Sequence, residues 1–400
     1  MTPIFNSLGS NYSTDDVVRL STVKASPGSR EKLKIKLKKY LRDAPIQIEL
    51  FYKGREALEV GLKALNLPTG SEVGITGFTC YVVEQSVKRA GLNPVFLDVE
   101  KDSLNFGVKS LKDAKAKGAK LRVLILQNTF GFQMEELAGV LNFAKKHRII
   151  VVEDAAHGFG GFRGDLAIFS FSQDKMLDVV SGGALVINNP KFRVKNELLN
   201  VQEVAMAQQQ KDRGYAKKTK IIREWYELGL GKILHKHWKK TNKLSSPMTY
   251  IGDEKIHKMT TWQAQRAAQI FGESFEKNRR LQIAKYYLEN IDSKWRVKDI
   301  TLTKIDCGSC LRYPLLVPAK KRADLIKYLA KHKIYASDIW YDNVIAPKSF
   351  EGKSSYKKGE CPNAEKLVTQ IFNLPTHKQI NLEKAEKIVK LVNEYLKNDD

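Results

Sequence analysis

Residues Ile149–His157 read IIVVEDAAH, Ala167–Lys175 read AIFSFSQDK, and Ser181–Ile187 read SGGALVI. The first and third carry short, nearly continuous apolar runs, as strands buried on both faces of a parallel sheet do. The first run ends in Glu153, Asp154 and then His157. A carboxylate at the C-terminal end of a parallel strand stands where open α/β sheets place their ligands. Taken alone, Asp154 could equally cap a following helix. Lys175 follows the second run by a few residues, on a loop that leads into the glycine-flanked third. A single strand-end lysine usually faces solvent, but Asp154 and Lys175 stand 21 residues apart in this order and together point to a site.

The same rhythm extends outward. From about residue 46 to 190, strand-like runs alternate with helical patterns, the signature of a parallel sheet wrapped by helices. Strands are expected at Val73–Thr76, Pro94–Leu97, Arg122–Gln127, Ile149–Glu153, Ala167–Phe171 and Ala184–Ile187, with helices at Gly54–Leu65 and Cys80–Ala90. The first helix must stop before Pro68, which cannot continue it. After about residue 276, Tyr313–Val317 reads as a strand, Lys321–His332 as a basic helix and Leu382–Leu396 as a terminal helix. The expected organisation is therefore a large α/β domain over residues 1–275 and a smaller α+β domain over 276–400. A basic helical insertion at about 191–258 interrupts the first.

Composition narrows the class of protein. The 400 residues are 42% hydrophobic and 28% charged, which suits a globular chain and excludes a disordered one. No apolar run is long enough to span a bilayer, and the first residues lack the apolar stretch of a secretory signal. Four cysteines are too few for a disulfide scaffold, so a reducing cytoplasm is expected. Cys307-Gly308-Ser309-Cys310 is a lone CxxC that cannot by itself complete a tetrahedral zinc site, and no metal is expected. The net charge of +24 suggests an anionic partner. Residues 211–243 alone hold eleven Lys or Arg against three Asp or Glu, interleaved with Ile221, Trp225, Leu230, Ile233 and Trp238. This segment stands apart from the strings that carry the chemistry. It reads as an amphipathic element for an anionic membrane surface or an acidic partner, or as solvated helices on a dimer flank. Lys32–Lys39 alternates charged with apolar residues, which formally favours a strand, although the Lys-rich run Ser29–Leu41 suits an exposed helix. A solvated charged face is expected there, and no nucleic-acid partner.

Taken in order, these strings resemble the DegT/DnrJ/StrS family of pyridoxal-phosphate sugar aminotransferases, which have the fold-type I architecture. The resemblance runs from about Leu50 to the end of the chain. It rests on Gly54-Arg55-Glu56-Ala57-Leu58, Gly70-Ser71-Glu72-Val73, Gly77-Phe78-Thr79-Cys80 and Ala90-Gly91-Leu92-Asn93-Pro94. It continues through Glu153-Asp154-Ala155-Ala156-His157, the Lys175 string, Gly182-Gly183-Ala184, Met259-Thr260 and Asn373-Leu374-Pro375-Thr376-His377.

The resemblance implies roles for particular residues. Lys175 would bond covalently to the cofactor's aldehyde and then carry a proton as general base and acid. Asp154 would face the pyridine nitrogen and favour its protonated form. His157 would lie near the phenolic oxygen. Gly54 and Arg55 would bind the phosphate through backbone N–H groups at a helix N-terminus, joined by the Ser170 hydroxyl. Cys80 occupies the position that stacks on the ring, so either its sulfur or Tyr81 would cover the cofactor. Ile256 stands where a phosphate-binding asparagine of the neighbouring subunit is usual. Asn128 and Phe130 replace the common histidine and tyrosine, and the stretch from His157 to Ser170 is short. The implied protein is a homodimeric enzyme moving an amino group from glutamate or glutamine to a keto sugar, nucleotide-linked, for cell-surface polysaccharide. The alternative is a non-catalytic protein of the same fold that binds a membrane or partner through its basic insertion.

Overall fold

The computed structural model describes residues 3–42, 44–159, 163–253, 255–271, 277–307, 309–336 and 340–397. Among these, seven strands form the main sheet: β1 (Gln47–Phe51), β2 (Glu72–Thr76), β3 (Asn93–Leu97), β4 (Leu121–Gln127), β5 (Ile150–Asp154), β6 (Leu166–Ser170) and β7 (Gly183–Ile187). Their spatial order is β1-β7-β6-β5-β4-β2-β3. The five from β6 to β3 are parallel, while β7 runs antiparallel between β6 and β1. The sheet is thus mostly parallel, as expected. The edge strand β1, QIELF, in which Gln47 and Glu49 alternate with buried Ile48 and Leu50, is an addition to the expected strands.

Alternation along the strands explains the layers. Val123 and Ile125 of β4 pack on one face with Val152 and Ile168, under the helices α2 (Gly54–Ala64) and α3 (Tyr81–Arg89). Leu124 and Leu126 pack on the other face, against the helices Val108–Ala116 and Leu137–Lys146. Because both faces are covered, the strands read as continuous apolar runs.

The Lys-rich N-terminal run is a helix, α1 (Ser29–Tyr40), and its strand-like alternation does not decide its form. It is more than a solvated face: Leu33 and Leu37, four apart, are fully buried against Phe169 and Ala184 of the sheet. Each such leucine contributes roughly 1.5–3 kcal/mol on burial.

Among its described residues the segment 191–258 forms the α-helices α4 (Met206–Arg213), α5 (Tyr215–Glu224) and α6 (Leu230–Lys240), before α7 (Thr261–Ile270), which Thr260 caps by accepting the Gln263 N–H. The C-terminal region pairs β8 (Arg312–Leu316) with β9 (Ile371–Pro375) antiparallel, flanked by α8 (Ala319–Lys331) and α9 (Leu382–Lys397). Ile4–Phe5 runs parallel to Ile334–Tyr335, so the start of the chain is tied to this C-terminal layer. The expected boundary at 275/276 lies within 272–276, outside the described residues, as does part of the His157–Ser170 stretch at 160–162. The Cys307 side chain and Gly308 also lie outside them. Among the described residues no cluster of metal-ligating side chains occurs, and no helix is long and apolar enough to cross a membrane.

Candidate active site

The C-terminal ends of β5 and β6 and the N-terminus of α2 meet around a cavity of about 520 Å³. Close backbone approach builds its floor. A Cβ on Gly183 would lie 2.6 Å from Gly54 Cα, and one on Gly54 would lie 3.0 Å from Ser170 Cβ. Only glycines let the start of α2 sit this close to the strand ends and the Ser170 side chain. Gly183→Ala is therefore expected to cost about 1–3 kcal/mol by overpacking, read as a lowered denaturant midpoint with unchanged slope. Arg55 directs its guanidinium to the carbonyls of Pro247 (3.0 Å) and Thr249, tying α2 to the segment after the insertion.

Asp154 ends β5, is buried, and accepts the Ala156 N–H at 3.0 Å. Desolvation raises its pKa, only partly offset by that hydrogen bond and the Lys175 charge. Lys175 lies across the cavity with its ammonium 4.4 Å from the Trp340 ring centroid. Burial pulls its pKa down to about 8 despite the Asp154 carboxylate. His157 accepts the Phe130 N–H on Nδ1 at 3.0 Å, and its Nε2 lies 3.4 Å from the Tyr341 hydroxyl. Burial, with Lys175 and Arg312 nearby, holds its pKa well below the usual value. The ring is therefore neutral, with its proton on Nε2.

The loop bearing Lys175 is fixed from beneath by one carboxylate. Asp178 accepts the backbone N–H groups of Asp174 (2.8 Å) and Val180 (3.0 Å), the Asn11 amide (3.2 Å) and the Tyr12 hydroxyl. Asp174 and the β-branched Val180 adopt φ of 61° and 75°, a backbone that such anchoring must hold. Burial raises the Asp178 pKa to about 6.

Of the residues singled out in the sequence, Gly54, Arg55, Cys80, Asp154, His157, Ser170 and Lys175 line this cavity. Tyr81 does not: it is the first residue of α3, and its ring stacks on Phe350 at 5.0 Å. Phe130 stacks near-parallel to His157, and Asn128 donates to Glu153 at 2.9 Å. Ile256 packs with the apolar layer under α2. The sequence reading missed Lys53, Trp340, Tyr341, Pro247, Met248 and Lys239, all of which line the cavity. Lys53 adjoins a recognised string and could have been suspected. The others arrive from distant segments with no local signal. Lys239 corrects one expectation: the basic segment 211–243 is not apart from the chemistry, since α6 delivers this lysine to the cavity wall.

The model of the DegT/DnrJ/EryC1/StrS aminotransferase family matches residues 29–393. The chain is 23% identical over 353 residues to a pleiotropic regulatory protein of Geobacillus stearothermophilus, covering 86% of this chain and 84% of that one. It is 23% identical over 364 residues to the dTDP-4-amino-4,6-dideoxy-D-glucose transaminase of Shigella dysenteriae, covering 87% and 85%. The crystal structure of NtdA from Bacillus subtilis with bound cofactor PMP superimposes with a TM-score of 0.69 at 17% identity, covering 99% of this chain and 85% of that one. Strand order, site geometry and a family match over most of its length agree: this chain belongs to the DegT/DnrJ/EryC1/StrS aminotransferase family.

Proposed function

We propose that the protein is a pyridoxal-phosphate-dependent aminotransferase that moves an amino group from glutamate or glutamine to a nucleotide-linked keto sugar. The observation that carries this reading is the meeting of Asp154, Lys175 and the α2 N-terminus on one cavity. The residues fit the cofactor. The Gly54 cradle, which a Cβ would fill, and the Ser170 hydroxyl suit a phosphate. Among the described residues Asp154 accepts a side-chain hydrogen bond on Oδ1 alone, which leaves Oδ2 to meet a ring N–H⁺. When bound, the cofactor supplies the electron sink that lets a Cα–H bond ionise.

The chain's own groups do the rest. A pKa near 8 lets Lys175 both take and return a proton near neutral pH. Asp154 holds the ring nitrogen protonated by direct ion pairing. Neutral His157 turns its Nε2–H to the Tyr341 hydroxyl and cannot compete with Lys175 for protons. Trp340 and Tyr341 line the cavity from the C-terminal side of the chain, while Cys80 and not Tyr81 reaches it from the α3 side. The purified protein is expected to gain a visible absorption band with pyridoxal phosphate, and to lose it on adding glutamate or glutamine. A protein that takes up no cofactor at saturation defeats the reading.

A second cavity, also about 520 Å³, shares Gln173, Asp174, Lys239 and Pro247 with the first and is walled by Phe5, Tyr226 and Tyr335. Its aromatic walls beyond a shared cation support a substrate with a planar group joined through an anionic link. Lys239→Ala is expected to raise KM for the nucleotide sugar about tenfold with little change in kcat, as loss of one charge-assisted contact would.

The homodimer and the cytoplasmic setting belong to the same proposal. Trp225, Leu228 (72% exposed), Leu230 and Ile233 (65% exposed) form an uncovered apolar face on the insertion. A second copy of the chain or an anionic membrane surface would cover it, and sedimentation alone and with liposomes separates the two.

A further inference from the structure

Lys53 caps the N-terminus of α2, its own N–H donating to Glu56 Oε2 at 2.9 Å. Its side chain is 2% exposed, lines the main cavity, and donates to the Ser181 hydroxyl at 2.8 Å. The Tyr52 ring lies beneath the ammonium at 4.7 Å. Among the described residues no carboxylate comes within ion-pairing distance of it. Glu56 is held by the Lys53 N–H and His257, and Asp212 by the Tyr52 hydroxyl, Ser245, Gln208 and Gln263. Arg55, whose charge acts on it more strongly than Asp212 or Glu56, has the same sign. A buried ammonium with three donors and one neutral acceptor is costly unless an anion completes it. The site beside it, the first turn of α2 with Gly54 and Ser170, is already shaped for a tetrahedral anion.

We propose that Lys53 binds a phosphate monoester dianion seated at the N-terminus of α2, supplying the buried counter-charge that backbone N–H groups and one serine do not. The inference rests on the proposed function for the source of that phosphate, the cofactor, but its chemistry is equally that of free inorganic phosphate. Burial, and secondarily Arg55, hold the Lys53 pKa at about 7 in the unliganded protein, opposed by Asp212 and Glu56. Below that value the lysine is already charged. Above it, an arriving anion must draw in a proton, so anion affinity falls as pH rises through about 7.

Three probes separate the possibilities: sulfate, which does not titrate, pyridoxal phosphate, and pyridoxal without its phosphate. In a Lys175→Ala background, sulfate binding followed calorimetrically in buffers of different ionisation heat should take up a proton near pH 8 and none near pH 6. Lys53→Met should abolish that uptake and flatten the pH dependence. In the otherwise natural chain, Lys53→Met should weaken pyridoxal phosphate roughly 10–100-fold by equilibrium dialysis and leave pyridoxal within about twofold. The unliganded variant should melt no lower than the natural protein, because a buried unpaired charge has been replaced by an apolar side chain of similar length. Should Lys53→Met fold poorly, Lys53→Gln gives the same comparison, and the proton uptake needs no change at Lys53. Equal losses for pyridoxal and its phosphate, or no proton uptake with sulfate, overturn the proposal. Sulfate binding with proton uptake in a protein that takes up no cofactor would instead overturn the aminotransferase reading and leave Lys53 as an anion site.

Discussion

Lys175→Ala is expected to lower the rate of amino transfer by at least about 10⁴-fold, since it removes both the nucleophile and the proton carrier in one step. The fold should survive. The ammonium loses its contact with Trp340, worth about 0.5–2 kcal/mol, but the cost of burying it disappears as well. Net stability should stay within about 1 kcal/mol, read by denaturant unfolding. Single-turnover reaction with glutamate measures the rate, and small primary amines added to the variant should restore part of it. Rescue is a result that mere misfolding would not give. A variant that keeps more than a hundredth of the natural rate would show that another group carries the proton.

The second large effect is at Asp154. Replacement by Ala should reduce the rate about 10²–10⁴-fold, because the ring nitrogen loses the carboxylate that keeps it protonated. Asn, which fills the same space without the charge, should be nearly as poor, which separates charge from packing. Without cofactor the variants should behave in the opposite sense. Burial raises the Asp154 pKa in the folded protein, so the native state binds this proton more tightly than the unfolded chain does. The stability this group contributes is then fully present below the ordinary carboxylate pKa and is lost as pH rises through the raised one. Asp154→Asn removes that loss. The difference between natural and variant unfolding free energies should therefore widen from acid towards neutral pH, and close again when cofactor is bound. A constant difference across that range would mean that Asp154 carries no unmet charge.

Much of the site was legible because its chemistry sits on strand ends and a helix start. The apolar run of β5 places Asp154 at its end whatever else the chain does, and a loop after β6 must follow before β7 can begin. Lys175 and Ser170 are therefore fixed near Asp154 by local order. Gly54 and Gly183 are glycines because two backbones touch, and a glycine where a helix opens is visible in a string. Tyr81 shows the limit. It follows Cys80 directly, yet the helix that starts there turns one side chain to the cavity and the next to Phe350, a choice made by packing.

The insertion shows the limit more sharply. Its charge and its helical spacing are readable, but the segment reads as standing apart because nothing within residues 211–243 says where α6 will lie. Contacts through Arg55 with the carbonyls of Pro247 and Thr249 bring the following segment to α2, and Lys239 arrives with it. Trp340 and Tyr341 are likewise ordinary aromatics until the C-terminal layer closes over the strand ends.

By itself, the sequence determined the mostly parallel sheet, the order of its motifs and the residues able to do the chemistry. Those follow from periodicity, turn residues and side-chain type, all of which act over a few residues. Only the tertiary structure decided which distant residues line the cavity, that Lys53 is buried among neutral partners, and that the basic segment reaches the site. These depend on long-range packing, where burial sets both the neighbours and the charge state of a group, and no local pattern encodes them.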